Sequence, residues 1–141
     1  MTARRLQLPD GDAPTWAWLT EEKPLDLPVL ARDICWRYRN EFPDEEERYG
    51  AAGDAWCVHD TQYLLHWGAE AVNGYLNMRY QVSWLARVLE ARGFPLDRLA
   101  RNLDIGADVV LSQVSGADGV QLAGVLTDAA AYVRSQGTFL D

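Results

Sequence analysis

Both histidines of the chain lie in one segment, Trp56–Glu70, among side chains that can bind a ligand or exchange a proton. If this segment is a helix with about 100° per residue, its aromatic, histidine and acidic side chains fall within an arc of about 120°. A solvated helix face rarely carries two Trp and a Tyr. We therefore expect this surface to contact another helix, another subunit or a ligand. We call it the His/aromatic face, and its members are Trp56, His59, Asp60, Tyr63, His66, Trp67 and Glu70.

Metal binding by this face is disfavoured by the spacing of its ligands. His66 and Glu70 are four residues apart and can share an ion on a helix. His59 and His66 are seven residues apart, which is about 10.5 Å along the helix axis. Two Zn–N bonds of about 2 Å cannot span that distance. The sequence also contains no Glu-x-x-His pair of the di-iron type. No metal site is predicted.

A tetrapyrrole requires an axial ligand and a large apolar pocket. His66 or His59 can supply the ligand, and Tyr80 and Trp84 of the next predicted helix add aromatic surface. A Cys-x-x-Cys-His attachment motif is absent from the sequence. We predict no cofactor, and we keep a tetrapyrrole- or metal-binding sensor domain as the alternative.

Catalytic motifs of the common enzyme classes are absent from the sequence: G-x-S-x-G, G-x-x-x-x-G-K-[ST], H-E-x-x-H and G-x-G-x-x-G. The neighbours His59 and Asp60 diverge by about 100° on a helix, so they are not expected to form an acid–base pair on their own. No catalytic residue is predicted. An enzyme of unknown class remains the second alternative.

Composition indicates one folded domain with an acidic surface. The chain has 141 residues, of which 48% are hydrophobic and 24% charged, and its formal net charge is −8. This charge disfavours nucleic acid and anionic membranes as partners. No apolar run approaches the ~18 residues of a membrane span, and the N-terminal residues lack the apolar stretch of a signal peptide. We therefore expect a cytoplasmic protein, with Cys35 and Cys57 as buried free thiols rather than a disulfide or a metal site.

The spacing of apolar residues and the helix-capping signals predict an all-α fold, a bundle of about five helices. No stretch alternates as a β-strand does. Residues 1–27 are predicted to be an extended or partly disordered N-terminal arm, and residues 28–141 a single helical domain. The arm is interpreted as a strand-like tail anchored to the domain by Trp16 and Trp18, and the alternative is a docking segment for a partner. The run of acids at 44–47 is well suited to a helix N-terminus, because carboxylates favour the positive end of the helix dipole. It is predicted to be a solvated acidic turn rather than a cation site. The helices are expected at about 28–41, 55–72, 77–92, 95–114 and 115–137.

Three short segments within about residues 55–95 resemble helical regulatory domains of bacterial signalling proteins. Some of those domains are globin-like or accompany tetrapyrrole- or cobalamin-binding modules. The resemblance implies a sensor-type or regulatory role, and it transfers no ligand residue to this chain. The segments are Asp60–Trp67 (DTQYLLHW), Tyr80–Leu85 (YQVSWL) and Ala91–Pro95 (ARGFP).

These observations predict a non-enzymatic regulatory or protein-interaction domain. Its expected partner is a protein, bound through the His/aromatic face of the helix at 55–72. Because that face combines aromatic side chains with few full charges, we expect the partner to be a second copy of the chain, giving a homodimer.

Overall fold

The computed structural model describes residues 7–20 and 23–141. Along these residues two short strands are followed by five helices, which confirms the predicted all-α bundle of about five helices. No helix of the described part is both long enough and apolar enough to cross a membrane. The elements are β1 (Trp16–Thr20), β2 (Lys23–Asp26), α1 (Leu27–Glu41), α2 (Asp44–Val72), α3 (Met78–Ala91), α4 (Leu96–Gln113) and α5 (Gly116–Gln136).

The two strands form an antiparallel hairpin, so the prediction that the chain contains no strand is wrong. Ala17, Leu19 and Leu25 are buried against the helices, whereas Trp16 and Trp18 are exposed. These buried aliphatic residues therefore anchor the segment, and the prediction that Trp16 and Trp18 anchor it is wrong. The alternation is only five and four residues long and includes Pro24, which explains why the sequence pattern did not reveal it.

Helix α2 is longer than predicted because it begins at Asp44 rather than near Ala55. Four consecutive acids occupy its first turn, where carboxylates favour the positive end of the helix dipole. Gly50 interrupts the helix with a φ of 64°. Only glycine adopts this conformation without strain, so two helical pieces meet at this residue. The acidic run therefore begins a helix, as its charge favours, and Glu46 and Glu47 are exposed. The predicted turn is wrong, and so is its full solvation, because Glu45 is buried.

The main core lies among α1, α2, α4 and α5. Leu64 of α2, Leu103 of α4 and Leu126 of α5 are almost fully buried there. Gly68 allows α2 to approach α5 closely, because a Cβ atom at this position would lie 2.8 Å from Leu122 Cδ1.

A disulfide joins Cys35 of α1 to Cys57 of α2, so the prediction of free thiols is wrong. The two helices pack side by side, which places the Cα atoms 6.1 Å apart. This separation is within the usual range for a disulfide. A spacing of 22 residues does not indicate such a pair, since the contact depends on how α1 packs against α2.

Candidate functional site

The structure divides the His/aromatic face between two neighbours of α2. One edge packs against the N-terminal segment and its hairpin. There Gln62 Nε2 donates a hydrogen bond to Pro14 O (3.0 Å), and Asn73 Nδ2 donates one to Trp18 O (2.7 Å). His66 lies one turn after Gln62, and its Nδ1 is buried without a hydrogen-bond partner among the described residues. This edge fixes the hairpin to the helical bundle.

The other edge of the face forms one wall of an outer groove between α2 and α3, with a volume of about 450 Å³. The opposite wall is α3. Six of the nine residues singled out from the sequence line this groove, so it gathers most of the predicted site. They are His59, Asp60, Tyr63, Trp67, Tyr80 and Trp84.

Aromatic rings follow one another along the α2 wall. The centroids of Trp56 and His59 are 5.3 Å apart, those of His59 and Tyr63 are 5.2 Å apart, and those of Tyr63 and Trp67 are 5.6 Å apart. These separations are typical of stabilising aromatic pairs, and the ladder follows from spacings of three and four residues on a helix. The Arg92 guanidinium lies 5.8 Å from the Trp56 ring centroid, within reach of a cation–π contact.

The α3 wall is more open to solvent. Tyr80 is 74% exposed and Trp84 is 59% exposed. Exposed large aromatic side chains beside a groove are typical of a binding surface.

His59 and Asp60 form a contact that helix geometry alone had argued against. His59 Nδ1 lies 3.0 Å from Asp60 Oδ1, although the two Cα–Cβ directions diverge on the helix. Rotation about the side-chain bonds brings the ring and the carboxylate together. Burial raises the pKa of the Asp60 carboxyl above its ordinary value, and the hydrogen bond and charge of His59 offset part of this increase.

A second, inner cavity of about 170 Å³ adjoins the outer groove. The two share Asp60, Leu85, Leu89 and Arg92 as lining residues. The remaining lining of the inner cavity is more polar than the aromatic walls outside. Its polar side chains include Tyr38, Glu45, Thr61, Arg98 and Asn102.

An ion pair and a tyrosine form one side of the inner cavity. Tyr38 Oη donates a hydrogen bond to Glu45, and Arg98 Nη1 lies 3.3 Å from Glu45 Oε2. The Arg98 guanidinium also lies 4.4 Å from the centroid of the Phe42 ring. Burial raises the pKa of the Tyr38 phenol far above its ordinary value, and the neighbouring Glu45 adds to the increase. Tyr38 is therefore a neutral hydrogen-bond donor.

A second polar chain leads from the disulfide to the inner cavity. Cys35 Sγ lies 3.5 Å from Thr61 Oγ1, which accepts a hydrogen bond from Asn102 Nδ2 at 3.1 Å. Asn102 Oδ1 has no partner among the described residues. Sequence reasoning missed Glu45, Arg98 and Asn102 because they come from distant parts of the chain. The one sequence feature that could have indicated a buried polar group is Asn102, which lies among the regularly spaced apolar residues of α4.

Three predicted site residues lie outside the outer groove. Trp56 lines the inner cavity, while His66 and Glu70 line neither space. Within residues 7–20 and 23–141, no three His, Cys, Asp or Glu side chains are grouped closely enough to hold a metal ion.

No protein-family model matches the sequence, and no curated protein or solved structure is significantly similar to it.

Proposed function

We propose that this chain is a regulatory domain whose outer groove binds a flat, largely apolar small molecule. The observation that carries the proposal is the presence of aromatic side chains on both walls: His59, Tyr63 and Trp67 on α2, and Tyr80 and Trp84 on α3. The volume of about 450 Å³ is within the usual range for small-molecule sites, which are mostly apolar with a few polar groups. Flat rings stack favourably on such walls.

The regulatory role is proposed from the resemblance of residues 55–95 to helical sensor and regulatory domains. A ligand held between α2 and α3 contacts both helices, so binding can change how they pack. The cytoplasmic location and bacterial origin expected from the sequence stay predictions.

Calorimetric titration with the methyl ester of naphthaleneacetic acid tests this proposal. We expect the wild type to bind the ester and Trp84→Ala to bind it up to about tenfold more weakly, because one stacking wall is lost. Trp36→Ala is the matched control, because Trp36 is 61% exposed on α1 and Trp84 is 59% exposed on α3. The proposal fails if the ester does not bind, or if the two variants bind it equally well.

A tetrapyrrole is a specific form of this ligand, favoured by the contact between His59 and Asp60. Metal-ligating histidines usually pair one ring nitrogen with a carboxylate and bind the metal through the other. His59 Nδ1 is paired with Asp60 in this way, so Nε2 is the nitrogen left for an iron. We expect added haem to give a Soret band that is lost in His59→Ala and retained in His66→Ala. Equal spectra for the two variants would show that His59 is not the ligand of the iron.

Self-association is the second candidate function, favoured by the exposure of Tyr80 and Trp84 on adjacent turns of α3. A second copy covering this surface would bury both rings and close the outer groove. Sedimentation velocity should then show a dimer for the wild type and a monomer for Trp84→Glu, with Trp36→Glu as control. A wild type that remains monomeric at high micromolar concentration would rule out the homodimer.

A further inference from the structure

We propose that the inner cavity binds the polar head of the same ligand, and that this head is an uncharged primary amide or a group with the same hydrogen-bonding pattern. This inference rests on the proposed function, since the apolar part of the ligand must lie in the outer groove. It adds the chemical class of the group that the protein recognises.

The first step is that the two spaces are adjacent. Asp60, Leu85, Leu89 and Arg92 line both of them. A molecule lying on the aromatic wall therefore has Asp60 and Arg92 as neighbours, and these residues also border the inner cavity. In the proposed mode its apolar part stays against the aromatic rings, while a polar substituent passes between these side chains to the polar groups of the inner cavity.

The second step is that the inner cavity contains buried oxygen atoms whose capacity to accept hydrogen bonds is not filled by the described residues. Asn102 is 9% exposed and Glu45 is 8% exposed. Asn102 Oδ1 accepts no hydrogen bond from any described residue, and Glu45 Oε2 has only the ion-pair contact with Arg98 Nη1 at 3.3 Å. Buried acceptors are normally paired, and leaving one unpaired costs free energy. Two N–H groups on a ligand would supply the donors that these atoms lack.

The third step is that one donor of the same cavity also has no acceptor. Arg98 Nη1 makes no hydrogen bond to a described residue, although it lies 3.3 Å from Glu45 Oε2 as part of an ion pair. A primary amide carries two N–H donors and one carbonyl acceptor. It can therefore donate to Asn102 Oδ1 and complete the hydrogen bonding of the Glu45–Arg98 pair.

The fourth step concerns charge. Glu45 is already paired with Arg98, and Asp60 is hydrogen-bonded to His59, while the exposed Arg92 side chain lies over the Trp56 ring. An anionic head would lie beside the Glu45 and Asp60 carboxylates as well as the arginines, and a cationic head would lie beside Arg98 as well as the carboxylates. Either charge would compete with the existing Glu45–Arg98 pair and would lose its hydration in a buried space, which is costly. An uncharged head avoids this cost.

Three probes of the same shape test the inference by calorimetric titration: naphthaleneacetamide, its methyl ester analogue and naphthaleneacetate. Only the amide has two N–H donors, and only the acid carries a charge. We expect the wild type to bind the amide roughly tenfold more tightly than either of the others, the gain typical of one or two hydrogen bonds. We expect Asn102→Leu to prefer the amide over the ester less strongly than the wild type does.

Gln62→Leu is the matched control, because Gln62 is also a buried amide but its Nε2 donates to Pro14 O at the hairpin edge. It should preserve the preference for the amide. Circular dichroism shows whether each variant is folded. If Asn102→Leu does not fold, the inference is tested by the wild type alone, which must bind the amide more tightly than the ester and the acid.

The outcomes separate the two proposals. If the ester binds with the Trp84 dependence described above but the amide binds no more tightly, the outer groove is a ligand site and the amide inference is overturned. If Asn102→Leu and Gln62→Leu lose the preference equally, the inference is also overturned. If none of the three probes binds, the proposed function fails, and the inference fails with it.

Discussion

His59 and His66 lie on the same face of α2, yet they face different surroundings. The edge near His66 is closed, since Gln62 and Asn73 donate hydrogen bonds to backbone carbonyls of the N-terminal segment. The edge near His59 is one wall of an open groove that faces the aromatic side chains of α3. One sequence pattern has therefore produced a structural contact and a candidate binding site. The neighbouring element, rather than the residue types, decides between them.

The largest effect on the free energy of unfolding is expected from a truncation in the core beneath both edges of the His/aromatic face. Leu64 is 2% exposed, and Leu64→Ala should lower the free energy of unfolding by about 2–5 kcal/mol, because the lost methyl groups leave a cavity. Leu89→Ala should cost less, since Leu89 is only partly buried. Urea titration measures both, and equal costs for the two variants would contradict the observed packing.

The next largest effect is expected from the disulfide. Replacing Cys35 by Ser removes a cross-link between α1 and α2 and should lower the free energy of unfolding by about 2–4 kcal/mol. Urea titration with and without a thiol reductant measures it, and the reductant should have no effect on the variant. If alkylation labels both cysteines in the oxidised, denatured protein, the cross-link is absent.

Gln62→Leu distinguishes the closed edge from the open one. We expect it to lower the free energy of unfolding by about 1 kcal/mol, because it removes a hydrogen bond and leaves Pro14 O unpaired. It should leave binding of the naphthalene probes unchanged, whereas Trp84→Ala should show the opposite pattern. A change in both properties for either variant would show that the two edges are coupled.

The smallest effect is expected from the titration of Asp60 at the open edge. Because burial raises the pKa of its carboxyl in the folded state, the folded protein binds the proton more tightly than the unfolded chain does. Stability contributed by the protonated form is therefore present below the ordinary Asp pKa of about 3.9 and is lost as pH rises through the higher folded value.

Asp60→Asn cannot titrate, so its stability relative to the wild type should increase with pH above about 4. Urea titrations of both proteins at several pH values measure this difference. A difference that stays constant with pH would mean that the Asp60 carboxyl keeps its ordinary pKa.

The sequence predicted the helices well because their signals are local. Asp26 and Asn77 accept hydrogen bonds at the N-termini of α1 and α3, and Gly93 follows the end of α3 with a positive φ. The outer groove was predictable in part, because helical spacing collected His59, Tyr63 and Trp67 on one face. Its second wall, Tyr80 and Trp84, was identified from their aromatic character on the next helix.

The inner cavity and the disulfide could not be predicted in this way. Glu45 comes close to Arg98 and Asn102 only because α2 and α4 both pack against α1, and the separation in sequence gives no sign of it. Its position in a run of four acids led us to expect Glu45 in a solvated turn. Its burial depends on partners contributed by Tyr38 and Arg98, which compensate for the cost of removing a carboxylate from water.

The interruption at Gly50 has a consequence for how such a protein can diversify. Residues 44–49 precede the interruption and contribute Glu45 and Tyr49 to the inner cavity, whereas the outer groove is lined by residues between 59 and 92. Mutations in the short first piece of α2 therefore alter the inner cavity while the aromatic walls keep their residues. Selection can thus change which head group is accepted independently of how the flat part of the ligand is held.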